Sequence, residues 1–242
     1  SRRRHTRYGT VTGVQTCALP IYRLTTVQVD AHNEPAVAAL LEPGMAVIHL
    51  LPSDFRPEMA RVAVENQCHF IDASYSHPAY AGLHDRAVDN GVAILPEFGL
   101  DPGIDLLLAV KVLAEFAEVL TFRSYGAGIP APEADDNPLH YKISWSWPGV
   151  LNSYTRPARL WQDGQPVEIP GEEIFAPQHR HLLQVEGLGA LEASPNGDVL
   201  PYLAQLGLDS HSLRQAGRYT LRWPGHGDFW YPLAHFGFLR QE

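Results

Sequence analysis

From Tyr22 onward, short apolar runs alternate with stretches whose apolar positions fall at helical spacing. Residues 25–29 (TTVQV) are rich in β-formers and close at Asp30. Residues 34–41 have helical spacing, stopped by Pro43-Gly44. Residues 45–51 (MAVIHLL) form a continuous apolar run, the pattern of a strand covered on both faces. Pro52-Ser53-Asp54 leads into a helix through Asn66. Residues 68–72 read as the next strand, 80–90 as a helix and 92–95 as a further strand. Three successive strand–helix units of this length predict a parallel, doubly wound sheet.

Beyond Gly99 the pattern changes. Residues 104–117 are amphipathic, with Ile104, Leu107, Leu108 and Lys111 at helical spacing. Shorter strands then follow at 119–124, 141–145 and 219–223, with a hairpin around Asp163-Gly164. This half predicts a mixed α+β domain over 99–242. There is no internal repeat or low-complexity segment.

At 242 residues and 45% apolar, the chain can bury a sizeable core. No apolar run approaches the ~20 residues that span a bilayer. The composition is that of a soluble globular protein without a membrane partner. Residues 1–21 stand apart. They carry four of the 18 basic residues and no acid. A transit peptide or twin-arginine signal is the biological reading. Yet SRRRHTR and VTGVQTCALPI reverse-translate, in order, to the two constant parts of a common sequencing-library index primer. Tyr8-Gly9-Thr10 falls where its variable index sits. Residues 1–21 are therefore expected to be translated adapter, set aside from fold reasoning; the underlying DNA read tests this. Without them 14 basic residues face 27 acidic ones, about −13, a balance that repels nucleic-acid backbones. Cys68 is then the one genuine thiol, and a reducing cytoplasm is the expected compartment.

A dinucleotide-binding half normally opens with strand, G-x-G-x-x-G/A and helix, where amides hold the pyrophosphate. No such motif occurs in residues 22–98. Gly187-Leu188-Gly189 has Glu192 in place of a third glycine and reads as a turn or bulge. The twelve histidines form no metal array; His179 and His181, flanking Arg180, read as a solvated segment. Trp145, Trp147, Trp161, Trp223 and Trp230 read as core and domain-interface anchors.

Two runs carry chemistry. One is Gly99-Leu100-Asp101-Pro102-Gly103-Ile104-Asp105. The other runs from Ser124-Tyr125-Gly126-Ala127-Gly128-Ile129-Pro130-Ala131-Pro132-Glu133, through Asp136-Asn137-Pro138-Leu139, to Ser144-Trp145-Ser146. In the first, Asp101 reads as a helix N-cap with Pro102 at the first helical position. With Ser74-Tyr75 and residues 218–223, these runs closely resemble saccharopine reductase, the NADP-dependent, glutamate-forming saccharopine dehydrogenase family of lysine metabolism. The resemblance covers Val27 to the end.

The resemblance implies an α/β fold with an incomplete Rossmann-type sheet, its first strands missing, and a second mixed α+β substrate domain. Residues 22–98 would be a partial NADP-binding domain and 99–242 the substrate domain, truncated at both ends. It implies an NADP cofactor near Asp30, Ala31, Leu51, Ala73, Ser74, Leu100, Asp101, Pro102 and Ser146. Substrate would be bound by Ser74, Tyr75, Asp101, Thr220, Leu221 and Arg222. Tyr75 and Asp101 would be the catalytic pair, as positioning and electrostatic groups. The Arg222 guanidinium suits a carboxylate because it engages both oxygens at once; an edge-strand arginine is the plain alternative. The partner implied is a small amino-acid substrate, with a homodimer left open.

Two departures stand out. Asn196-Gly197-Asp198-Val199 replaces a family Asn-Arg-Asp-Ser run, so Gly197 stands where a substrate-binding arginine is expected. Gly126 replaces a cysteine. A smaller or less acidic amino acid or imine therefore remains open, as do a carboxynorspermidine- or lysine-dehydrogenase type of enzyme and a catalytically inactive fragment. With no pyrophosphate turn, the chain as given is expected to be inactive.

Overall fold

The computed structural model describes residues 25–143, 146–208 and 212–240. The leader reading, Ser144 and Trp145 lie outside these. The chain divides into two units, Ser1–Ile104 and Asp105–Glu242.

The first unit begins with α1 (Glu34–Ala38), where the Asn33 side chain accepts from the Ala36 amide at 3.2 Å. There follow β1 (Ala46–His49), α2 (Arg56–Glu65), β2 (His69–Asp72), α3 (His84–Asp89) and β3 (Ile94–Leu95). The strands are parallel in the order β1-β2-β3, with Ala46 opposite His69 and Phe70 opposite Ile94. Met59, Ala60, Val62 and Ala63 of α2 pack with Cys68, Phe70 and Tyr80 into one core.

Several expectations are corrected. Residues 25–29 form no strand: the described residues give them no ladder, only a bridge at Asp30. The run at 45–51 contributes four strand residues and is covered on one side only. His49 is buried, whereas Ile48 is 63% and Leu50 78% exposed, because α2 and Phe70 pack on the Val47/His49 face. The helix expected over 80–90 is shortened by a 3-10 turn at Pro78–Leu83, fixed by His77 Nδ1 accepting from the Ala79 amide.

The second unit runs on from α4 (Ile104–Leu113) through β4 (Thr121–Ala127), α5 (Trp147–Ser153), β5 (Ala158–Gln162), β6 (Gln165–Ile169), β7 (His181–Val185), β8 (Gly189–Pro195), α6 (Leu200–Gln205), β9 (Gln215–Arg222) and α7 (His226–His235). The sheet order is β6-β5-β9-β8-β7, with β4 parallel to β9. The hairpin at Asp163-Gly164 is present, both residues at positive φ, as an Asp-Gly turn requires. Gly187 sits in the β7–β8 turn and Gly189 opens β8, both at positive φ, close to the turn read from sequence.

Here too the structure departs from expectation. Residues 141–143 form no strand, because Asn137 satisfies this backbone locally: its Nδ2 donates to the Tyr141 carbonyl at 2.8 Å and its Oδ1 accepts from the Leu139 amide. Asp101-Pro102 does not open α4. The helix starts at Ile104, whose amide donates to the Gly99 carbonyl, and Asp101 lies in the tight turn before it. His181 is not on a solvated loop but begins β7. Arg222 is not on an edge strand: β9 has β4 on one side and β5 and β8 on the other.

Candidate functional site

In the first unit, polar chemistry gathers at the carboxyl ends of the parallel strands, where open α/β sheets take ligands. Asp72, the last residue of β2, is fully buried. Its Oδ2 accepts from the Tyr80 hydroxyl at 2.5 Å and its Oδ1 from the Ser74 amide at 3.0 Å. His49 Nδ1 and Arg56 Nη1 approach it at 3.6 and 3.7 Å. Burial, then Asp72, pushes the Tyr80 phenol up; burial pushes His49 down, with Asp72 opposing. Arg56 Nη1 also donates to the Tyr75 carbonyl at 2.7 Å, and Glu97 Oε1 accepts from the Ser76 amide at 3.3 Å. The loop after β2 is thus held at three successive residues.

That loop presents the Tyr75 hydroxyl, which donates to Asp101 Oδ1 at 3.1 Å. Two glycines allow this approach. A Cβ on Gly99 would lie 2.7 Å from the Ala73 carbonyl oxygen, and one on Gly103 2.3 Å from the Gly99 oxygen, at φ +143°. The G-L-D-P-G run is therefore a backbone turn folded against the loop after β2. Pro102 is buried beneath it, while Leu100 is exposed.

Other sequence-read residues have plainer places. Asp30 Oδ1 accepts from the His32 amide at 3.0 Å, and His32 holds its carboxyl below the usual range. Ala31 is buried, and Leu51 packs against the first core. Ser146 caps α5, its Oγ accepting from the Gly149 amide at 3.2 Å. Thr220 lies opposite Gly126 on β4 and Ser194 on β8. Leu221 is in a buried cluster with Leu191 and Ala193. Asp105, the second acid of the Gly99–Asp105 run, binds Arg218 at 3.0 Å and so ties α4 to β9. Gly197 has φ +70°, and Arg156, which donates to Asn196 Oδ1 at 2.9 Å, lies 3.7 Å from where its Cβ would be. The Arg156 guanidinium thus lies beside Gly197.

Arg222 ends β9. Its Nη1 donates to the Leu221 carbonyl at 2.9 Å and the Tyr141 ring covers its guanidinium at 5.2 Å. Nearby, Glu192 is buried with Arg180 at 2.7 Å and accepts from the Gly227 amide at 2.7 Å, fixing the turn into α7. His226, at the start of α7, is pushed down to about 3 by burial and then by Arg222. Tyr125, from the second sequence run, shares a 2.8 Å hydrogen bond with His181 Nε2. Asp72, Arg56, Tyr80, Tyr154 and His226 escaped the sequence reading. For Asp72 a signal existed: an acid closing an apolar strand directly before Ala73-Ser74-Tyr75. Among the described residues no His/Cys/Asp/Glu group could hold a metal ion, and no helix is long and apolar enough to cross a membrane.

A parallel-sheet unit with polar groups gathered at its carboxyl edge, followed by a mixed-sheet unit with a half-buried strand-end arginine, defines a two-unit α/β protein. Residues 99–242 match the saccharopine dehydrogenase C-terminal domain and residues 13–95 the saccharopine dehydrogenase NADP binding domain. The chain belongs to the saccharopine dehydrogenase family. It is 35% identical over 222 residues to the NADP(+), L-glutamate-forming saccharopine dehydrogenase of Pyricularia oryzae, covering 90% of this chain and 48% of that protein. Against the alpha-aminoadipic semialdehyde synthase of Arabidopsis thaliana it is 31% identical, covering 89% and 21%. The solved apo saccharopine dehydrogenase (L-Glu forming) of Saccharomyces cerevisiae superposes with a TM-score of 0.76 at 32% identity, covering 88% of this chain and 48% of that one. The chain thus spans about half the length of these glutamate-forming relatives.

Proposed function

We propose that the chain serves an NADP-dependent oxidoreductase acting on the C–N bond of saccharopine or a related amino-acid adduct. In the oxidative direction, bound NADP+ would supply the hydride acceptor for the carbon beside the secondary amine, and the amine proton would pass to solvent. Water then splits the resulting imine into glutamate and 2-aminoadipate semialdehyde. The groups at the strand ends suit the cofactor: exposed Leu100 offers apolar surface next to Asp101, which accepts from the Tyr75 hydroxyl. In this reading Leu51, Ala73, Ser74 and the residues 100–102 hold the nicotinamide side. Asp30 and Ala31 are read as lying toward the adenine, and Ser146 as a further cofactor-binding residue. Thr220, Leu221 and Arg222 bind a substrate carboxylate. Gly197, with Arg156 beside it, is the observation that keeps a related adduct open. A cytoplasmic setting fits Cys68, a buried free thiol.

The observation that carries this reading is the Tyr75–Asp101 hydrogen bond beyond β2, in a chain of this family. Tyr75 orients the reacting nitrogen and Asp101 stabilises positive charge developing there. Tyr75→Phe and Asp101→Asn should each lower saccharopine-dependent NADP+ reduction about 10²-fold. Since residues 1–98 hold no G-x-G-x-x-G/A turn, the assay is run on this chain and on one joined to a family member's strand–turn–helix bearing that turn. NADPH titration of both forms gives the binding side; parental turnover by either variant rules the reading out.

A further inference from the structure

The second unit holds a set of buried polar atoms that no protein group satisfies. Tyr154, His226 and Trp230 are only 5%, 8% and 6% exposed. The Tyr154 hydroxyl, His226 Nε2 and Trp230 Nε1 have no hydrogen-bond partner. Their rings form one group, with centroids 4.8 Å apart for Tyr154–Trp230, 5.6 Å for Tyr154–His226 and 6.1 Å for His226–Trp230. Arg222 adjoins them, its charge acting on both the Tyr154 phenol and the His226 imidazole. Its Nε is also buried and unpartnered.

The chemistry of this set is one-sided. An indole N–H and a guanidinium only donate, a phenol donates readily, and a neutral imidazole has one N–H to give. What is missing is an acceptor carrying negative charge. No carboxylate among the described residues pairs with Arg222. Glu192, the buried acid nearby in the fold, is engaged by Arg180 and by the amides of Gly225 and Gly227. Glu173 is engaged by His235 and Tyr231. Leaving several donors dry in one place is destabilising unless a ligand answers them.

We propose that Tyr154, His226 and Trp230 complete, around Arg222, a recess for one carboxylate of the amino-acid substrate. This rests on the reading of Arg222 as a substrate-binding residue and extends it to three side chains. One guanidinium among neutral donors balances a single negative charge, which favours a carboxylate over a doubly charged phosphate.

Calorimetric titration of glutarate into the chain without cofactor tests this, with inorganic phosphate as a second probe. Tyr154→Phe removes a buried oxygen whose polar neighbour is the Arg222 guanidinium and which has no acceptor, so its thermal unfolding should stay close to the parent's. Its glutarate Kd should nevertheless rise about tenfold, and that of Arg222→Lys at least as much. Parental affinity in Tyr154→Phe would overturn the recess while leaving Arg222 as a binder. Absence of saturable glutarate binding by the parent, or tighter binding of phosphate, would also overturn it. If glutarate binds as expected while saccharopine is not oxidised, the recess stands and the reaction reading falls.

Discussion

The two units bury their sheets in opposite ways. In the first, three parallel strands lean on α2 with one face while Ile48, Leu50 and Leu95 stay exposed on the chain's surface. In the second, β9 is flanked on both edges, and Leu160, Leu191, Leu213 and Leu221 are buried in clusters around the sheet. Parallel sheets rely on apolar cover of both faces. The first unit instead ties its strand ends together through one buried carboxylate, Asp72. That makes its stability and its site geometry the same thing, whereas the second unit can leave polar atoms unanswered at a site because hydrophobic packing holds it.

The sharpest way to break this contrast is Asp72→Ala, which leaves Arg56 without its counter-charge and the Tyr80 hydroxyl without its acceptor. It should cost about 3–5 kcal/mol. All five tryptophans lie in the second unit, so their fluorescence reports that unit alone. Hydrogen exchange in β1–β3 should accelerate in this variant without a shift in the tryptophan unfolding midpoint. A joint shift would mean the two units do not differ as described.

The next effect belongs to the second unit. His226 stays neutral in the fold down to about pH 3, whereas in the unfolded chain it takes a proton near its ordinary value of 6.5. Between those values the unfolded state binds more protons, so stability falls as pH drops below about 6.5. By pH 4.5 this amounts to about 3 kcal/mol. His49 is shifted in the same direction in the first unit, so the comparison is with His226→Gln. That variant should flatten the tryptophan-monitored pH slope; an unchanged slope would remove His226 from the account.

Gly103→Ala comes third. Its φ of +143° and the backbone oxygens of Gly99 and Glu97, at 2.3 and 2.6 Å from the added carbon, leave no space. A loss of about 2 kcal/mol confined to the first unit is expected, against a milder effect of Gly44→Ala, whose added carbon meets nothing. The smallest change is Tyr75→Phe. Its lost hydrogen bond should lower stability by less than about 1 kcal/mol, so a large drop in activity with an unmoved unfolding curve would assign Tyr75 to chemistry rather than to the fold.

Much of the order of elements was legible in residue patterns. β2, α2, the Asp163-Gly164 hairpin and the Gly187–Gly189 turn follow from periodicity and glycine placement. The glycines of the run at 99–105 mark a turn, but Asp101-Pro102 suggests a helix cap by local chemistry alone. The turn folds differently because Gly99 packs against Ala73 and Gly103 against Gly99 and Glu97, contacts that cap rules do not contain. His181 and residues 141–143 were misread for a related reason: β7 pairs with β8, and Asn137 serves the backbone of Tyr141.

What the linear chain settled by itself was local: which segments can bury a face, where the backbone must turn, and which short runs mark the family. Only the folded structure decided which donors lack acceptors and which charges meet. Asp72 lies 23 residues from His49 in sequence, and Tyr154 lies 72 from His226. Such meetings depend on strand order and packing between distant elements, and no local periodicity records them.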